Sequence, residues 1–106
     1  MRIAFVLMSA IALFACESAR QSSDFEVGMS REQLVETFGE PHERKTLVKS
    51  DASIWGPIET FWSKVPLGSR VEIWSYRVDG GSAELYFVDG ATRVQGTGFA
   101  ADGVIY

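Results

Sequence analysis

Three hydropathy regimes follow one another along the chain. Residues 3–15 are apolar except for Ser9, and Arg2 precedes them. Residues 17–24, Glu-Ser-Ala-Arg-Gln-Ser-Ser-Asp, are polar without periodicity. From residue 25 onward, apolar and polar positions alternate with helical or strand period. The first run falls short of the roughly 20 apolar residues needed to cross a bilayer. It ends on the small residue Ala15, as a cleavable secretory leader does. The pattern therefore predicts a leader over 1–15, a flexible tether over 16–24 and one domain over 25–106.

Within the domain, the segment 31–38 reads as a helix. Ser30 suits the N-cap and Gln33 lies three residues on, which makes a capping box. Glu32 sits in the first turn, favourable to the helix dipole. Leu34, Val35 and Phe38 share a face, Gly39 can close the helix and Pro41 prevents its continuation. Residues 43–49, with Thr46, Leu47 and Val48, read as an edge strand. A second helix is expected over 57–65. Pro57 suits its first position, Ile58, Phe61, Trp62 and Val65 form an i, i+3, i+4, i+7 stripe, and Pro66 follows.

Beyond Pro66 the period changes to two. Residues 71–78 and 82–88 flank Gly80-Gly81, and Asp89-Gly90 precedes a third run over 91–98, so the pattern predicts an antiparallel meander. Placing Asp79 opposite Ser82 and Val88 opposite Ala91 gathers Trp74, Tyr76, Val78, Ala83, Leu85, Phe87 and Val94 on one face. The expected fold is α+β. Two short helices cover one face of a three-stranded antiparallel meander, with 43–49 as a fourth, edge strand, in a two-layer sandwich.

Composition narrows the function. The 106-residue chain has 10 Lys and Arg against 14 Asp and Glu, a formal net charge of −4. Removing the leader takes Arg2 with it and leaves the remainder one unit more acidic. With no basic cluster to neutralise phosphates, nucleic acid is not an expected partner. Anionic lipid would not be held by charge alone. The single cysteine, Cys16, excludes an internal disulfide, so the domain must rest on its aromatic-rich core.

Candidate chemistry is sparse. His42 is the only histidine and follows Pro41 in a charged stretch, the setting of a solvated loop residue. No Gly-x-Ser-x-Gly accompanies it, and no second histidine completes a metal set. Glu32 and Glu36 lie four apart on a helix face that reads as solvent-facing. Gly96, Gly98 and Gly103 fit no phosphate loop and read as a bulge or the end of the chain. No catalytic residue, cofactor, metal or small-molecule substrate is expected. A small hydrolase would need a pocket joining His42 to a carboxylate and a hydroxyl. Trp55, Phe61 and Trp62 are the candidate partner-binding residues, although a helical aromatic stripe is more often core.

Leu13-Phe14-Ala15-Cys16 resembles the lipobox of bacterial lipoproteins, although Phe14 stands where a small residue is usual. The resemblance implies cleavage before Cys16 and acylation of its thiol. The other reading, a plain secretory signal, leaves a free thiol in an oxidising compartment. Acyl chains would then hold the protein on the membrane, since each buried methylene contributes about 0.8 kcal/mol and one chain alone is marginal.

Val27-Gly28-Met29-Ser30 leading into a short helix, then Gly39-Glu40-Pro41 and a strand bearing Trp74-Ser75-Tyr76, resembles the SmpA/OmlA (BamE-like) domain of small outer-membrane lipoproteins. The similarity spans residues 24 to 98 and the leader, and the same helix recurs in β-lactamase-inhibitor-like domains. The resemblance implies an outer-membrane-anchored lipoprotein on the periplasmic face, with other envelope proteins as partners. Its expected role is outer-membrane protein assembly or envelope integrity. Glu17, rather than Asp, after the lipidated cysteine is compatible with outer-membrane sorting in a Gram-negative host. The alternative is an inhibitor-like protein- or peptide-binding module that uses the aromatic segment 52–68.

Overall fold

The computed structural model describes residues 20–104. The leader and Cys16, with the lipidation reading that rests on it, lie outside the described residues. Ser22–Asp24 form a single 3₁₀ turn. Two helices follow, α1 (Arg31–Phe38) and α2 (Glu59–Trp62). The strands are β1 (Glu43–Val48), β2 (Arg70–Val78), β3 (Gly81–Val88) and β4 (Gly96–Ala101). They form one antiparallel sheet in the order β1-β2-β3-β4, so the α+β class holds and the sheet has four strands.

α1 begins and ends where its caps dictate. Ser30 Oγ accepts a hydrogen bond from Gln33 N at 3.0 Å, which satisfies one of the unpaired N–H groups of the first turn. Gly39 closes the helix at φ 83°, a left-handed conformation that glycine adopts without steric cost. Leu34 is fully buried and directs α1 onto Trp74, Tyr76, Leu85 and Phe87.

The expected two-layer sandwich is corrected to three layers. β2 is apolar on both faces: Trp74 and Tyr76 point one way, Val71 and Ile73 the other, and all four are buried. Each face needs its own cover. α1 and Phe25 cover the first face. Ile58, Trp62 and Val65 cover Val71, Ile73 and Tyr86 on the second, with Leu47, Ile54, Phe61 and Val88 at its margin. The helix expected over 57–65 shortens to four residues within turns, and its apolar stripe packs as one unit.

The strand register also differs from expectation. Val78 pairs with Gly81, Tyr76 with Ala83 and Trp74 with Leu85, a two-residue shift that leaves every side chain on its expected face. Gly81 is a strand residue, paired with Val78, and its α-carbon lies so close to the Ala100 carbonyl that there is no room for a side chain. The turn is therefore Asp79-Gly80, with Gly80 at φ 81°. Asp89 (φ 50°) and Gly90 (φ 75°) both take positive φ, as a type I′ turn requires. The third run does not pair at once. Val94 exchanges hydrogen bonds with the segment leading into α1, Gly28 N to Val94 O and Val94 N to Met29 O, both 2.8 Å. The sheet resumes at Gly96, opposite Tyr86.

Residues 20–24, expected to belong to the tether, are fixed to the domain. Asp79 N donates to Arg20 O at 3.0 Å. The Arg20 guanidinium donates to Phe38 O at 3.1 Å and lies over the Phe38 ring.

Candidate functional site

The three aromatic candidates separate. Trp62 is 7% exposed and belongs to the core beneath the second face. Its indole Nε1 is buried with no hydrogen-bond partner among the described residues, which leaves a polar group desolvated. Phe61 is half-buried, its ring tilted by 30° against that of Tyr86 with centres 5.0 Å apart. Trp55 is 74% exposed.

Trp55 stands at the rim of a cleft of about 410 Å³ on the second sheet face. Ile73 forms its floor, Leu47, Ile54 and Ile58 its apolar wall, and Lys45 and Glu84 bring charge from β1 and β3. Tyr86 Oη donates to Glu84 Oε1 at 2.9 Å. Burial first, then the charge and hydrogen bond of Glu84, hold the Tyr86 phenol well above its usual range, so it serves as a donor. Beside the cleft, two glycines of β4 let the 54–65 segment pack close to the sheet. A Cβ on Gly98 would overlap Tyr86 Oη and approach Pro57 Cβ to 2.9 Å, and one on Gly96 would enter the Phe61 ring. Gly96 and Gly98, read from sequence as a bulge or the end of the chain, lie within β4 and make room for the 54–65 segment.

The opposite face carries a polar cluster that sequence reading did not gather. Arg31 Nη1 bonds Glu72 Oε1 at 2.8 Å, and Trp74 Nε1 donates to Glu72 Oε2 at 2.7 Å. Arg31 Nε also donates to Ala91 O, and its guanidinium sits 4.1 Å from the centre of Phe87. Arg44 lies 4.5 Å over Trp74 and pairs with Glu40. The guanidinium–ring contacts tie α1 and β1 to β2 and β3, and the Arg31–Ala91 hydrogen bond adds the β3–β4 connection. Period two puts Glu72 on the face of Trp74 and Tyr76, and a carboxylate on an aromatic face needs a cation. That signal was present in Val71-Glu-Ile-Trp-Ser-Tyr76. An open cleft of about 350 Å³ adjoins the cluster, bordered by Glu32, Val35, Glu36 and Trp74.

Burial opposes ionisation of Glu72. The hydrogen bonds from Trp74 and Arg31, with the charges of Arg31 and Arg44, outweigh it and hold the carboxyl below the usual value of 4.5. A depressed folded-state pKa contributes stability that is present above the unfolded value and lost as pH falls through the folded one. Urea midpoints between about pH 5 and pH 2 should therefore fall more steeply for the natural chain than for Glu72→Gln. Parallel curves would show that Glu72 is not so held.

His42 is exposed, its backbone N–H donating to Ser75 O at 2.9 Å, and it lines neither cleft. Glu32 and Glu36 are exposed, as expected of a solvent-facing helix side. Among the described residues, no helix is long and apolar enough to cross a membrane. Fold and cleft together define a small three-layer α+β protein with one exposed tryptophan beside a mixed-polarity groove. No protein-family model, curated protein or solved structure matches the chain.

Proposed function

We propose that this chain is a lipoprotein held by acyl chains on Cys16 at the periplasmic face of the outer membrane. Its domain holds another envelope protein and so supports outer-membrane protein assembly or envelope integrity. The leader ending in Leu13-Phe14-Ala15-Cys16 supports the anchor. The observation that carries the binding role is Trp55. An exposed indole beside a groove with an apolar floor and charged rims is the surface on which interface energy concentrates. Of the other two candidates, Phe61 is half-buried and Trp62 is buried in the core of the second face, so neither offers as much free surface as Trp55. The same residue favours the second reading, an inhibitor-like module that binds a peptide or protein through 52–68.

Fatty-acid labelling that is lost in Cys16→Ala tests the anchor; equal labelling of both forms refutes it. Deleting the gene is expected to lower outer-membrane protein levels and raise vancomycin sensitivity. Trp55→Ala, being a surface change, is expected to alter stability by less than about 0.5 kcal/mol. It should accumulate normally yet fail to restore the deletion strain. Unchanged outer-membrane protein levels on deletion count against the assembly role and leave the inhibitor-like reading.

A further inference from the structure

The two edges of the sheet differ in kind. β1 carries Glu43, Arg44 and Lys45, followed by Lys49, the charges that keep an edge strand from pairing with another chain. β4, Gly-Thr-Gly-Phe-Ala-Ala, has no charge and no proline. Its hydrogen-bond phase is set by Asp102 N, which donates to Gly80 O at 2.9 Å. Backbone groups alternate in direction along an antiparallel strand. The N–H and C=O of Gly96, Gly98 and Ala100 therefore turn toward β3, and those of Thr97, Phe99 and Ala101 turn outward. The outward N–H groups have no acceptor among the described residues. Phe99 is 41% exposed beside them, and Val104, just past the strand, is 52% exposed.

We propose that β4 pairs antiparallel with β4 of a second copy of this chain, about a two-fold axis through Phe99. The operation sets outward residue against outward residue. Thr97 meets Ala101 of the second copy, Phe99 meets its own counterpart, and on the other face Gly98 meets Ala100. Small residues flank one central aromatic pair, a favourable cross-strand combination, and no like charges face each other. An isologous contact of this kind closes at two copies. The charged β1 edges lie at the outer margins of the resulting eight-stranded sheet and stop further growth. The paired length is only about 20 Å, so the dimer is weak and depends on concentration. This inference rests on the sheet alone and stands apart from the lipid anchor and from Trp55.

A photo-reactive benzoylphenylalanine at position 99 of the full chain, expressed in bacterial cells, tests it. Irradiation is expected to give an adduct of twice the chain mass that contains this chain alone, while the same probe at Thr46 on β1 gives none. Thr97→Pro removes an outward N–H without touching the β3 ladder and should abolish the adduct. Hydrogen exchange on the unmodified full chain gives a reading free of any substitution. The amides of Thr97, Phe99 and Ala101 should exchange more slowly as protein concentration rises, and that of Thr46 should not. An adduct with a different protein, no adduct at position 99, or exchange independent of concentration overturns the proposal.

Discussion

Gly98→Val is expected to lower stability by about 3 kcal/mol, the upper end of the cost of overfilling a packed site. In a domain of this size that shifts the thermal midpoint by about 12 °C or more. The argument is steric, because Gly98 does not take a positive φ. Its missing Cβ is the space that Tyr86 Oη and the Pro57 ring occupy, and the Pro57 carbonyl lies 3.2 Å from that position. Tyr86 is fully buried and bonded to Glu84, so it cannot swing away. Only displacement of the 54–65 segment would relieve the overlap, and that segment covers the second core. Thr97→Val, on the same strand but exposed, should change stability by less than about 0.5 kcal/mol. Equal melting of Gly98→Val and the natural chain would mean that the 54–65 segment does not lie over β4, and the three-layer arrangement would fall with it.

Leu34→Ala should cost about 3 kcal/mol, within the range for truncating a buried leucine. Leu34 is the only fully buried side chain of α1 and meets the cluster that contains Trp74, Leu85 and Phe87. α1 has eight residues, too few to be stable in isolation, so its helicity depends on this contact. Total stabilities of about 5–15 kcal/mol make the loss a large fraction of the whole. A drop in urea midpoint for Leu34→Ala, with none for the exposed Glu36→Ala, is the expected result. An unchanged midpoint for Leu34→Ala would show that α1 is not docked on the sheet.

Local chemistry made some elements legible and left others hidden. α1 was readable to the residue because Ser30 and Gly39 act through their immediate neighbours. The two faces of β2 and β3 were readable because period-two patterning survives a two-residue slip. The register itself was not, since Asp79-Gly80 and Gly80-Gly81 are both acceptable turns. The fold takes Asp79-Gly80 and sets Gly81 against the Ala100 carbonyl, a contact between residues far apart in sequence. The start of β4 was hidden for a similar reason: the 91–95 backbone is drawn to the start of α1, whose N–H groups need acceptors. The stripe of Ile58, Phe61, Trp62 and Val65 was plain, but its destination depended on Val71 and Ile73 leaving a second face bare. Of the candidate site, sequence supplied Trp55, and only the fold could separate it from Trp62 or bring Lys45 and Glu84 beside it.

The hydrogen bond from Asp79 N to Arg20 O ties Arg20 to the β2–β3 turn. Arg20 is four peptide steps from Cys16 along the chain. At full extension those steps span no more than about 15 Å. With acyl chains on Cys16, the domain would be on a short leash, its β2–β3 turn close above the lipid headgroups. It could not reach across a wide gap, so a partner would have to come to the membrane surface to meet it. Lengthening the chain between Cys16 and Arg20 would change which neighbours the domain can touch without altering a single contact inside it.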